Sequence, residues 1–394
     1  MRLLHVVPSY LPATRYGGPI VTVHRLASAL AERGHEVHVA TTDVDGPGTS
    51  GVPTDRPVTL DGVTVHYFAA GWPRRLYRSP AMGRWLARAV PDFDLVHLHA
   101  LWLWPTAAGA AAARRHRIPY LLAPRGMLVP ELIRRRSHLA KTLWLAAVER
   151  RNLAGAAGLH VTSALEGQDA RRVGIALPPL VEVPNGVDPP PAAPGAMSPA
   201  VRATIAAGPF VLFLGRLSWK KGLDLLLPAI ARLPTVRLVV AGPDDEGYGA
   251  TVRALVATHR LAERVTLLGP VSATDRWHLL AACRALAAPS YSENFANVVA
   301  EAMVAGRAVV VTPGVGLAAL VERAGAGVVC ATDGAAVAAA LGAVLADPEA
   351  ARAMGERGRA AALASLAWPA VAARMETAYR AVTGERAGAP TLAG

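Results

Sequence analysis

Two carboxylates, Glu293 and Glu301, stand eight residues apart in the stretch 287–307, AAPSYSENFANVVAEAMVAGR. That separation leaves them close to one helix face but too far along it to share a proton. They suit two acceptors reaching different hydroxyls of one extended ligand, for instance those of a ribose and of a sugar; as isolated acids they would be solvated groups favouring a helix dipole. The stretch begins as a buried strand, breaks at Pro289 and passes through a polar loop holding Asn294, Phe295, Ala296 and Asn297 into an amphipathic helix. Free loop amides and the positive end of a helix converge there, which suits a phosphate or pyrophosphate. Upstream, GRLSWKKG places Arg216, Lys220 and Lys221 between glycines at another junction of strand and helix. Fixed cations at such a corner can neutralise a departing diphosphate without proton transfer.

A second set lies in the first half. DFDLVHLHALWLWP predicts a buried strand carrying His97 and His99, which share a strand face because they are two residues apart. His99, nearest the carboxyl end, is the better candidate for a substrate contact, since ligands of open α/β sheets sit at that end. Metal ligation by the pair is disfavoured because no third ligand has a matching spacing. Arg125 and Gly126 follow the strand YLLA, where an arginine can clamp an anion. Gly17 and Gly18 lie between the first strand and first helix, where absent side chains permit close approach to a ligand.

The elements that must position these groups alternate. RLLHVVPSY, VTVHRLASALAERGHE and VHVATTD read as strand, helix, strand, and the pattern restarts at FVLFLGRLSWKKGLDLLLPAIARL, so the fold class is α/β with parallel sheets. Thr162 or Ser163, with Glu166 soon after, predicts a helix start close to a capping box. VVVTPGVG sets Gly314 and Gly316 beside the Glu293 loop if their strands are neighbours. Residues 189–199, PPPAAPGAMSP, form the clearest linker and mark the domain boundary.

The 394 residues suffice for two domains, and 52% hydrophobic content provides a sizeable core. No apolar run reaches the roughly 18–20 residues of a membrane span, and the two cysteines, Cys283 and Cys330, sit in strand-like contexts. A reduced, cytoplasmic enzyme is the expectation. Of the +12 net charge, nearly all falls in Arg74–Arg151, where 15 Lys and Arg face 4 Asp and Glu, a balance of +11. That stretch is either a set of solvated helix faces or a surface for anionic lipid or a polyanionic acceptor, giving peripheral contact with the inner membrane face. Nucleic acid is not expected, because no recognition helix or aromatic-interleaved sheet accompanies the charge.

The order of GG loop, histidine at a strand end, PRGM, PNGVD, GRLSWKKG, AGP and SENFANVVAEAM, with TPG downstream, resembles the family-4 retaining glycosyltransferases of the GT-B fold, over residues 1 to about 380. The resemblance implies two Rossmann-like domains facing across a cleft. The acceptor domain would span 1–190 with a returning helix at about 368–384, and the nucleotide-sugar domain 200–367. It further implies that Arg216 and Lys221 hold the donor diphosphate, Glu301 the ribose hydroxyls and Glu293 the transferring sugar, with the amides of Asn294–Asn297 near it. His99 would lie beside the reacting carbon, Gly17 and Gly18 beside the phosphates, and Arg125 near donor or acceptor. The reaction implied is retaining transfer of a hexose-type sugar to a saccharide or lipid-linked acceptor by front-face internal return, with neither metal nor cofactor. Asn294 and Ala296 depart from the family, standing where many members carry glycine. Alternatives are an inverting GT-B enzyme or a sugar-nucleotide epimerase, a non-catalytic ligand-binding protein, and a metal-dependent enzyme using Asp43-Val-Asp45 or Asp92-Phe-Asp94. The last is disfavoured because the first string lies in a Gly-rich turn and the second precedes its strand.

Overall fold

The computed structural model describes residues 1–13, 18–135 and 138–384. The chain divides into two compact units, Met1–Gly186 with the segment from Trp368 onward, and Val187–Ala367. The Pro-rich stretch 189–198 carries neither helix nor strand and belongs to the second unit.

In the first unit the strands are β1 (Arg2–Ser9), β2 (Glu36–Thr42), the short antiparallel pair β3 (Val44–Asp45) and β4 (Gly48–Thr49), β5 (Val58–Leu60), β6 (Val63–Phe68), β7 (Leu95–His99), β8 (Tyr120–Ala123), β9 (Gly158–Val161) and β10 (Leu180–Glu182). Eight of them form one sheet in the order β10-β9-β8-β7-β1-β2-β6-β5, parallel throughout except for the edge pair β5 and β6. Strands β7, β8 and β9 are buried at every position, as expected of central strands covered by helices on both faces. The chain runs outward through β1, β2 and β6, then returns to lay β7 on the other side of β1. The topological switch point therefore falls between β1 and β7, where ligands of such sheets bind. The C-terminal helix Trp368–Thr383 packs Val371, Ala372, Met375 and Tyr379 into the core that holds Val23, Leu26 and Leu30 of the helix Gly18–Glu32. Arg33 Nε donates to Glu376 Oε2 at 2.7 Å alongside.

The second unit holds β11 (Val211–Leu214), β12 (Leu238–Ala241), β13 (Val265–Gly269), β14 (Ala285–Ala288), β15 (Ala308–Val311) and β16 (Gly327–Val329) in one parallel sheet ordered β13-β12-β11-β14-β15-β16. Alternation along each strand divides its core in two. Val211 and Phe213 join one cluster with Ala308 and Val310, while Leu212 and Leu214 join the other with Val309 and Val311. Here the switch point lies between β11 and β14, the two strands whose loops carry Arg216–Lys221 and Glu293. Among the described residues no single helix is long and apolar enough to cross a membrane.

Candidate active site

Three corners of the second unit close on one another through backbone. The β11 corner ends in the turn Trp219–Lys221 and in Gly222, whose φ of +71° is left-handed. A Cβ there would lie 2.0 Å from the carbonyl oxygen of Pro289, in the β14 corner. Beside that contact Tyr291 N donates to Lys220 O at 2.8 Å. The β15 corner joins from the other side: Glu293 N donates to Gly314 O at 2.8 Å and Gly316 N to Glu293 O at 2.9 Å, so the neighbouring strands do set these glycines beside the Glu293 loop. A Cβ on Gly314 would stand 2.4 Å from Tyr291 O, which explains the glycine.

This scaffold joins Lys221 and Glu293, with Nζ and Oε1 2.7 Å apart and both side chains largely buried. Burial is the largest influence on Glu293 and pushes its carboxyl up, but Lys221, Lys220 and Arg216 together outweigh it and hold the group below the ordinary carboxylate range. Glu293 is thus a fixed acceptor of hydrogen bonds. Arg216 is exposed and makes no hydrogen bond or ion pair among the described residues.

The helix Asn297–Val304 begins from Ala296, at φ +73° and ψ 71°. The glycine-like conformation falls on the alanine, at a cost of about 1–2 kcal/mol. Phe295 is 2% exposed and packs into the core, so it can present only its amide to a ligand. Glu301 pairs through Oε1 with Arg276 Nη1 at 3.0 Å, and its Oε2 is buried with no hydrogen-bond partner. Burial raises the Glu301 carboxyl; Arg276 opposes the rise and Asp188 adds to it. A buried oxygen left unpaired costs about 1–3 kcal/mol, and a donor hydroxyl would remove that cost. At the rim Tyr291 Oη donates to Asp224 Oδ2 at 2.9 Å, with the rings of Trp219 and Tyr291 6.3 Å apart.

In the first unit the β1–β7 switch point is filled by histidines. Parallel pairing sets His5 opposite His97, and ligand atoms of His5, His97 and His99 lie within 4.8 Å of one another. A third imidazole that spacing along the chain does not reveal is therefore supplied by a neighbouring strand, which corrects the expectation that His97 and His99 lack one. The hydrogen bonds give these rings another role. Arg125 can only donate, and its Nη2 lies 3.1 Å from His99 Nδ1. The His99 proton therefore sits on Nε2 and is donated to His5 Nδ1 at 3.0 Å. His160 Nε2 donates to Val183 O at 2.9 Å, so its Nδ1 accepts from His97 Nε2 at 3.2 Å, and His97 Nδ1 accepts from the Tyr379 hydroxyl at 2.7 Å. Each ring carries one proton, and the adjacent guanidinium disfavours a second cation. Burial pushes His5 and His160 down to about 3 and takes His97 and His99 well below their usual value.

Both ring nitrogens of His99 are engaged within the first unit, so a substrate hydrogen bond to that ring requires exchange of one partner. Arg125, at φ +54°, also donates to Asn185 Oδ1 of PNGVD at 3.0 Å. Ser163 is the cap: its hydroxyl accepts from Glu166 N at 3.2 Å, while the Glu166 carboxylate accepts from Thr162 N at 2.7 Å and from Gly126 N at 2.5 Å. Gly18 opens its helix and is exposed; Gly17 lies outside the described residues. Of the Asp-x-Asp strings, Asp43 Oδ1 accepts from Ala70 N at 2.9 Å and Asp94 Oδ2 from Arg2 N at 2.6 Å.

Known proteins match this arrangement over both units. The model for glycosyl transferases group 1 matches residues 202–361, and that for the glycosyl transferase 4-like domain matches residues 17–186. A D-inositol 3-phosphate glycosyltransferase from Mycobacterium sp. (strain JLS) is 32% identical over 78% of this chain and 73% of its own length. One from Xylanimonas cellulosilytica is 31% identical over 98% and 97%. The chain is a family-4-type glycosyltransferase of the GT-B fold. Sucrose-phosphate synthase from Thermosynechococcus elongatus superimposes with a TM-score of 0.75 at 23% identity, covering 98% of this glycosyltransferase and 100% of that chain. Anabaena HepE in complex with UDP and glucose gives 0.74 at 20% identity, covering 97% and 100%.

Sequence reasoning about this glycosyltransferase missed Arg276, His5, His160 and Asn185. Arg276 reaches Glu301 from the helix Ala273–Ala282. His5 was legible only through the strand order, because its partners lie more than 90 residues away.

Proposed function

We propose that this glycosyltransferase moves a hexose-type sugar, with retention at the anomeric carbon, from a nucleoside-diphosphate sugar to a hydroxyl of a saccharide, polyol or lipid-linked acceptor, as a step of polysaccharide or glycoconjugate synthesis. The observation that carries the reading is the second unit's switch point, where the Lys221–Glu293 pair, an exposed Arg216 and the unpaired Glu301 oxygen belong to corners that touch through backbone. The relatives named for an inositol phosphate support a polyol among the acceptors to test, and HepE, which holds UDP and glucose, supports a UDP-sugar as the first donor.

In this reading Arg216 and Lys221 take the diphosphate, Glu301 Oε2 accepts from a ribose hydroxyl, and Glu293 accepts from the sugar. Because its cationic neighbours keep Glu293 ionised, it serves as an acceptor and not as an acid. His99, deprived of basicity by burial, is a neutral hydrogen-bonding group too weak to take the acceptor's proton at neutral pH. That proton goes to the departing phosphate oxygen as the bond from C1 to the phosphate breaks and the bond from C1 to the acceptor forms on the same face. Positioning and cationic stabilisation of the leaving group then supply the acceleration. The basic stretch Arg74–Arg151 gives peripheral contact with an anionic membrane; the side chains of its Arg134–Arg136 run lie outside the described residues.

Incubation with UDP-, GDP- and dTDP-hexoses and candidate polyol or saccharide acceptors, followed by mass spectrometry and proton NMR of the anomeric centre, tests the proposal. Transfer with the donor's anomeric configuration, abolished in Lys221→Ala, is the expected result. Inversion, or transfer untouched by that substitution, overturns it.

A further inference from the structure

At the opposite end of the second unit's sheet, ahead of the strands instead of after them, Arg284 precedes β14 and Arg307 precedes β15. Together with Arg352, Arg359 and Glu356 of the helix Pro348–Leu366 they line a cavity of about 400 Å³. Residues 352, 356 and 359 follow one helix face by their spacing. That helix is seated directly on the turn before β15, since a Cβ on Gly355 would lie 2.1 Å from Gly306 O. Four guanidinium groups and one carboxylate leave three net positive charges around one concavity.

These arginines are not accounted for by partners. Among the described residues the side chains of Arg284, Arg352 and Arg359 form no hydrogen bond or ion pair, and Glu356 bridges to none of them. Arg307 makes only a long 3.4 Å bond from Nη1 to Cys283 O, and its Nε is buried without a partner. Salt-bridged surface arginines would show the opposite pattern. Unpaired arginine forks gathered around a concavity match the geometry of phosphate oxygens, and the volume is that of a small-molecule site.

We propose that this basin binds a phosphorylated small molecule, its phosphomonoester dianion held among Arg284, Arg307, Arg352 and Arg359, at a site distinct from the corners of β11 and β14. The chemistry is that of a phosphomonoester, carried either by a free sugar phosphate or by a lipid headgroup.

Calorimetric titration of the full chain with glucose 6-phosphate, and co-sedimentation with phosphatidic acid vesicles, distinguish the two sources. The double variant Arg352→Gln/Arg359→Gln, exposed and remote from the donor corners, should lose at least about tenfold in affinity, while Lys221→Ala binds as the wild type does. Loss confined to vesicles assigns the site to a headgroup, and loss of glucose 6-phosphate binding assigns it to a soluble ligand. No binding of either probe, equal binding by the double variant, or binding abolished by Lys221→Ala overturns the proposal. Thermal melting of the double variant within about 2 °C of the wild type confirms that it is folded.

Discussion

Replacing Gly222 by alanine strikes the contact that joins the corners of β11 and β14. At φ +71° an L-residue pays about 1–2 kcal/mol. The new methyl would lie 2.0 Å from Pro289 O and 2.9 Å from its carbon, so backbone must move; overpacking of this kind costs about 1–3 kcal/mol. Alanine stiffens the unfolded chain and returns about 0.4–1 kcal/mol. The net loss is about 1–4.5 kcal/mol, centred near 3, or roughly 6–12 °C in melting temperature at that centre for a unit of this size. Gly247→Ala is the control, because Gly247 has φ +72° but nothing within 4 Å of its Cβ, and therefore shows the conformational cost alone. Thermal melts of both variants and the wild type, with donor KM measured alongside, separate the effects. Gly222→Ala should melt well below Gly247→Ala and show a raised donor KM, because displacing Pro289 breaks the bond from Tyr291 N to Lys220 O that sets Lys221 against Glu293. Equal melting of the two variants with an unchanged KM would refute the idea that these corners are locked by close backbone contact.

Other consequences are open to measurement. Histidines 5 and 160 titrate near 3 when folded and near 6.5 when unfolded, so the unfolded chain binds more protons below 6.5; their stabilisation is complete above that value and is lost as pH falls toward 3. At pH 5.5 the loss is about 1.4 kcal/mol for each ring, roughly 3 kcal/mol together, visible as a falling urea midpoint; a midpoint flat from pH 7.5 to 5.5 would speak against a neutral network. Lys221→Met strands the largely buried Glu293 carboxylate and should cost about 2–4 kcal/mol in urea titrations. Adding Glu293→Gln should recover part of that stability without recovering transfer, and equal stability of the single and double variants would count against the pair. Glu301→Gln should raise the donor KM about tenfold with kcat little changed, since it alters binding common to ground and transition states; a KM within twofold of the wild type would remove Glu301 from the donor site.

Where residues were neighbours in sequence or carried by a strongly patterned strand, the sequence was legible. The buried runs of β7, β11 and β15, with glycines following the last two, marked the parallel sheets, and the Glu293–Glu301 spacing marked the corner and helix that carry both acids. What sequence reading could not reach was set by strand order. His5 meets His99 because β1 and β7 pair across the first switch point, and Arg276 meets Glu301 from a helix with no motif of its own. Phe295 shows the converse: a residue inside the motif whose ring belongs to the core. Ala296 shows that a left-handed backbone can be carried by a residue other than glycine, which no glycine in the sequence announces.

The most direct test is calorimetric titration of the full chain with UDP-, GDP- and dTDP-glucose, repeated on Arg216→Ala/Lys221→Ala. Saturable binding of at least one donor, weakened about a hundredfold or more when both cations are removed, is the expected result. A donor that binds the double variant as tightly as the wild type would place the diphosphate somewhere other than the corners of β11 and β14.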